Sequence, residues 1–302
     1  MAIRRNRKNA VRRSGSDRTL EWILRIFVSI IGVIMAYPLL VVVSTSLSSP
    51  SAVMSGEVWF LPVEFSLEGY KAVFRTKDVL IGYRNSLFYM VAGTAINVVM
   101  TLLCAYPLSR DDLVGQGLFM KLYTFTMLFG GGMIPHYLLL KDLKMLNTIW
   151  SMIIPGAISV YNMIITRTFI KSNIPKEMLE AAKIDGASDI QYFVKMVLPL
   201  SGSVIAVITL YYAVAHWNAY FNAFMYLTDK DLYPLQIFLK NILVSNQLQA
   251  DMLPDEYGTA VESIGEVLKY SLIVVAVVPV MVIYPFVQKH FVKGVMIGAV
   301  KG

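Results

Sequence analysis

Apolar runs of about twenty or more residues alternate along this chain with short polar stretches, covering about 20–43, 85–108, 117–140, 148–170, 200–226 and 267–287. A helix rises about 1.5 Å per residue, so each run is long enough to cross a hydrocarbon layer about 30 Å thick. The pattern predicts an all-α membrane protein with six transmembrane helices. The first run is longer than the apolar region of a signal peptide and is followed by no A-x-A site, so it reads as an uncleaved span. Residues 44–82 predict an external loop with a helical segment at Ser66–Phe74, 171–199 an internal loop, and 227–266 a second external loop. Gly130-Gly131-Gly132 and Pro135 in the third run are read as a close contact between helices, with local unwinding as the alternative.

The internal loop is the stretch around which the chain is organised. Pro175 suits a first helical turn, and Met178, Ala181, Ala182 and Asp185 follow at helical spacing until Gly186 permits a left-handed stop. Ser188 with Gln191 three residues on is a capping box for a second short helix, and Pro199 predicts the next break. One face of the first helix is small and apolar; the other carries Lys176, Glu177, Glu180 and Lys183, which suits a protein groove better than lipid.

Composition agrees with a polytopic membrane class. Of 302 residues 56% are hydrophobic and 16% charged, with mean hydropathy +0.59; soluble domains carry about a quarter charged residues. The net charge of +7 does not imply nucleic acid, because much of it is concentrated before the first run in Arg4, Arg5, Arg7, Lys8, Arg12, Arg13 and Arg18. Arg110, Lys171, Lys176, Lys183, Lys195, Lys289, Lys293 and Lys301 fall on that same side in a six-span chain, while the 227–266 loop is acidic. Both termini, 1–19 and 289–302, are therefore expected in the cytoplasm. The single cysteine, Cys104, lies in an apolar run and leaves no disulfide to form within the chain.

Glu180-Ala181-Ala182, Asp185-Gly186-Ala187 and Leu198-Pro199-Leu200 resemble the cytoplasmic "EAA" loop of permease subunits of bacterial ATP-binding-cassette importers. Gly131-Gly132-Met133-Ile134-Pro135, Asn147-Thr148-Ile149-Trp150, Ile154-Pro155-Gly156, His216-Trp217-Asn218 and the tail from Phe291 are similar to segments of the carbohydrate branch. Within it, the chain is similar to the second maltose-importer permease and to the lipoprotein/polysaccharide-associated subgroup. The resemblance implies a type I importer permease fold in the cytoplasmic (inner) membrane. It also implies a second homologous permease, two cytoplasmic ATPase subunits that bind ATP and magnesium, an external solute-binding protein and an oligosaccharide cargo. Glu180, Ala181, Ala182, Asp185, Gly186, Ala187 and Pro199 would form the ATPase-coupling element, with Ala181 and Ala182 allowing close approach. The 227–266 loop would meet the binding protein, and the tail would reach the ATPase interface.

The chain itself holds no G-x-x-x-x-G-K-[ST] phosphate loop, so energy is expected from a partner and no cofactor from this chain. The fifth run is the candidate substrate path. Tyr211, Tyr212, His216, Trp217, Asn218, Tyr220 and Asn222 combine flat apolar faces with hydrogen-bonding edges, as sugar rings require, although aromatics near a span's end also form interfacial belts. Tyr161 and Asn162 in the fourth run are a second pair. A metal site is not expected, because His136 and His290 lie far from His216. Asp111-Asp112 reads as a solvated cap. An ion-coupled secondary transporter would need carboxylates at mid-membrane, and this chain keeps Asp and Glu almost wholly in its loops. A membrane enzyme would need a clustered nucleophile and base, which the sequence lacks.

Overall fold

The computed structural model describes residues 15–244 and 261–299, and every described regular element is helical. Helix α1 (Gly15–Ser46) is followed by a short α2 (Pro50–Met54), a short α3 (Glu68–Arg75) and the long α4 (Lys77–Ser109). Helices α5 (Gln116–Leu128) and α6 (Met133–Asp142) meet at a corner; α7 (Trp150–Ile153) and α8 (Val160–Asn173) lead to the internal loop. That loop holds α9 (Lys176–Ile184) and α10 (Asp189–Leu200), after which α11 (Gly202–Trp217), α12 (Tyr220–Tyr226), α13 (Leu235–Val244) and α14 (Val261–Ala299) complete the fold. The basic residues 4–13, the acids Asp251, Asp255 and Glu256, and Lys301 lie outside the described residues.

Among the described residues, three helical stretches are long and apolar enough to cross a membrane alone: Thr19–Ser46, Lys77–Ser109 and Ile264–Pro285. The third, fourth and fifth apolar runs are each divided. The third bends by 111° between α5 and α6, where Gly132 has φ +85°. A Cβ on Gly130 or Gly131 would meet nothing within 4 Å, so within this chain these glycines serve the corner and not a close helix contact. The fourth is broken around Pro155 and Gly156, and the fifth at Asn218 and Ala219. The expected break at Pro199 sits instead at Ser201, where α10 and α11 bend by 79°. Residues Phe193–Val197 form a π-helical turn just before Pro199, and a widened turn accommodates the proline ring and its missing N–H without ending the helix. At the other end of the chain, α14 runs through position 289 without a break.

Helix α4 lies at the centre, packed against α8, α11 and α13. The core there joins Val73, Val79, Met90, Trp217, Leu235, Leu268 and Leu272. Trp217 is 1% exposed, donates its indole N–H to Ala276 O at 2.9 Å and meets Tyr83 edge-on at 5.6 Å. Apolar side chains gain little by leaving lipid for protein, so such packing and buried hydrogen bonds hold the bundle. The apolar window of α1, by contrast, has none of its residues buried within this chain.

Candidate coupling surface and substrate cavity

The 171–199 loop folds as its local signals require. Pro175 is the N-cap of α9, and Gly186 takes φ +76° immediately after the C-cap Asp185. Ala187 N donates to Ala182 O at 2.9 Å and closes the turn. The capping box is complete: Gln191 N donates to Ser188 Oγ at 3.2 Å, and Ser188 N to Gln191 Oε1 at 3.1 Å.

The two short helices share an apolar underside in which Ile170, Ile174, Ala182, Tyr192 and Val197 are buried. Tyr106 of α4 joins it, its ring centroid 4.8 Å from that of Phe193. Ala182 is thus buried against its own chain, while Ala181 is left on the outer face. Glu180, Ala181, Asp185, Gly186 and Pro199 are exposed, and Ala187 is half-buried. Ile184 and Ile190, on either side of the turn, are 86% and 76% exposed. Sequence reasoning missed this pair; apolar residues flanking the turn of an otherwise charged loop were the available signal.

Asp111 and Asp112 do not form a solvated cap. Asp111 pairs with Lys171 at 2.7 Å and also with Lys176. Asp112 pairs with Arg110 at 2.5 Å and accepts from Lys183 at 3.3 Å. The Arg110 guanidinium reaches Asp189 at 2.5 Å and Tyr106 Oη at 3.2 Å. Hydrogen bonds from Lys171 and Lys176 hold the Asp111 carboxyl down to about 2, and those from Arg110, then Lys183, hold Asp112 well below the usual carboxylate range. The turn after α4 therefore grips both short helices through charge.

The candidate path residues largely converge. Tyr161, Asn162, Tyr211, Tyr212, His216 and Asn222 line one cavity of about 810 Å³, together with Ser159 and Asn97. That volume is within the ordinary range of small-molecule sites. The Tyr212 hydroxyl lies 2.6 Å from Thr101 Oγ1 and accepts from Ser159 N at 3.0 Å, which fixes the wall where three helical segments meet. Asn97 Oδ1 and His216 Nε2 are buried without a partner.

Trp217 and Asn218 are not in this lining. The first is committed to the core, and the second donates back to Val214 O at 2.9 Å at the end of α11. Tyr220, too, lies outside it. Asn97, which sequence reasoning passed over, is signalled by an amide placed mid-way along an apolar run. Among the described residues, no carboxylate, lysine or arginine belongs to the cavity wall. Among the described residues, no three His, Cys, Asp or Glu side chains are grouped to hold a metal.

A cavity lined by the long α4 and the shorter α8, α11 and α12, with no charged side chain among its described lining residues, an ion-paired loop at the end of α4 and no phosphate-binding loop in the chain fit a transport subunit energised from outside itself. The chain belongs to the family described as "Binding-protein-dependent transport system inner membrane component", which matches residues 14–297. It is 41% identical to the polygalacturonan/rhamnogalacturonan transport system permease protein YtcP of Bacillus subtilis (strain 168), over 95% of this chain and 99% of that protein. Protein LplC of the same organism is 38% identical, over 92% and 93%. A chain in the crystal structure of a bacterial ABC transporter involved in the import of the acidic polysaccharide alginate superimposes with TM-score 0.85 at 33% identity, covering 92% of this chain and 99% of that one. This protein is accordingly a multi-pass permease subunit of an ABC importer, and the ATPase of such a system is a separate subunit.

Proposed function

We propose that this permease passes a polysaccharide-derived oligosaccharide, of the acidic kind found in pectin or alginate, through the cavity between α4, α8, α11 and α12. In this proposal it works with a second permease, two ATPase subunits and an external binding protein. The observation that carries it is the cavity wall itself: tyrosine faces, amides, a hydroxyl and an imidazole, with no fixed charge. Sugar C–H faces stack on aromatics while their hydroxyls need such partners. The names of the relatives support a polysaccharide-derived cargo. Selectivity for a carboxylate would then come from the binding protein or the second permease, since the described residues of this chain offer no cation there.

Binding of ATP would close the ATPase pair, and the docked turn at Gly186 would carry that motion into the bundle. Glu180, Ala181, Asp185 and the exposed Ile184 and Ile190 would meet the ATPase. Ala182 and Ala187 would shape the element from within, and Pro199 would shape its end. The bare surface of α1 supports a second membrane subunit alongside it. Both termini and the 171–199 loop would be cytoplasmic, and 227–266 external.

Gly186→Val tests the coupling role. Valine at φ +76° is strained by roughly 1–2 kcal/mol, which should reopen the turn and abolish ATP-driven uptake into vesicles holding the complete system. Full uptake by the parent permease with the ATPase subunits omitted would overturn the importer mechanism.

A further inference from the structure

Helix α4 is 33 residues long, about 50 Å at the rise of an α-helix, and each part of it is tied to a different functional region. Its inner end carries the Arg110, Asp111 and Asp112 turn that grips α9 and α10. In the middle, Asn97 lines the cavity and Thr101 bonds Tyr212 at 2.6 Å. At the outer end, Asn85 Nδ2 donates to the carbonyls of Asp231 and Tyr233 at 2.7 and 3.0 Å. There too, Ser86 Oγ accepts from Leu235 N at 2.9 Å, and Tyr89 Oη donates to Leu232 O at 2.8 Å.

We propose that Arg110, Asp111 and Asp112 are positioning residues that clamp the α9–α10 pair to α4, so that motion of the coupling loop reaches the cavity and the 229–235 segment along a single rod. This rests on the importer mechanism above. Two magnitudes favour direction over stability as the role of the charges. Pairs as exposed as Lys176 with Asp111, at 72% and 42%, add little to stability, and the apolar underside around Val197 and Tyr192 already holds the helices together. What the apolar contact lacks is fixed geometry. Arg110 supplies it, engaging both oxygens of Asp112 at 2.8 and 2.5 Å and Asp189 at 2.5 Å with one planar group.

The test uses the complete importer in lipid vesicles with its binding protein, and reads cargo imported per ATP hydrolysed. Asp111→Asn with Asp112→Asn is expected to assemble and keep hydrolysing ATP while import per ATP falls at least about fivefold, the lower range of coupling between linked sites. Asp111→Cys and Lys176→Cys on a Cys104→Ser background, joined by a short bis-maleimide, are expected to regain the parental ratio, whereas the unjoined pair is not. An unchanged ratio in the asparagine variant overturns the role. So does a parallel fall in hydrolysis and import, which would make the turn a docking element only. Should the asparagine variant fail to assemble, the cysteine pair decides: recovery on joining supports the clamp, and no recovery overturns it. Failure of the parent importer to couple import to ATP would instead remove the mechanism on which the clamp depends.

Discussion

Alanine at position 93 should cost roughly 1–3 kcal/mol of stability through overpacking, and most of that cost should vanish when His216 is shortened as well. A Cβ built on Gly93 would lie 2.4 Å from Cε1 and from Nε2 of His216, and 2.8 Å from Cδ2. Comfortable contact needs about 3.5–4 Å, so the ring must swing away or α11 must move off α4 by an ångström or more. His216 Nε2 is buried without a partner, so deleting the ring forfeits no hydrogen bond at that nitrogen, and the space it leaves accepts a methyl group.

A double-mutant cycle isolates the effect: Gly93→Ala, His216→Ala and the pair, each followed by thermal unfolding of the purified complex. Contacting residues couple by about 0.5–3 kcal/mol, readable as a few degrees at roughly 2 °C per kcal/mol in a chain of this size. The single Gly93→Ala variant should also raise the cargo concentration needed for half-maximal uptake, because the displaced ring enters the cavity. Equal destabilisation by Gly93→Ala with and without His216 would show that the glycine serves something other than this contact.

Two further outcomes are expected. Trp217→Phe should lose about 1–3 kcal/mol through the lost indole bond to Ala276 O and the smaller ring in a buried site, lowering the melting temperature while cargo affinity holds; an affinity loss without destabilisation would return Trp217 to the path. Asp111, drawn from 3.8 down to about 2 by Lys171 and Lys176, stabilises its pairs fully above the ordinary value and loses them only as pH falls through the lowered one. Import per ATP should therefore show no titration from this carboxylate between about pH 5 and 8, and a step in that window that disappears in Asp111→Asn would refute the assignment.

The coupling turn was legible because its signals are local: Ser188 and Gln191 cap one helix, and Gly186 takes the positive φ that ends the other. Hydropathy found the apolar runs but could not report their direction, since residues on either side of Gly132 or Pro155 are equally apolar through a bend. Pro199 misled because its break depends on the turn before it, and a π-turn absorbs what an α-turn would not. The cavity was legible as a group and not residue by residue. Successive helical side chains point about 100° apart, so His216 reaches the cavity and Trp217 the core although they are neighbours. The ionic clamp joins Arg110, Asp111 and Asp112 to residues 60 to 79 positions away, a separation over which one sequence carries no pairing signal.

The placement of charge separates energy input from cargo recognition. A carrier driven by an ion gradient must expose a titratable or ion-binding group to the same chamber that holds its cargo, because occupancy of one must alter the other. Here the cavity wall, among the described residues, is free of Asp, Glu, Lys and Arg, while a dense set of both signs lies farther along α4, at one rim of the bundle between the α4 turn and the two short helices. Charge at the rim can receive a mechanical push without ever meeting the cargo. In a chain that keeps these functions apart, neutralising the rim should uncouple transport without changing what is transported, and altering Asn97 or Asn162 should change what is transported without uncoupling it.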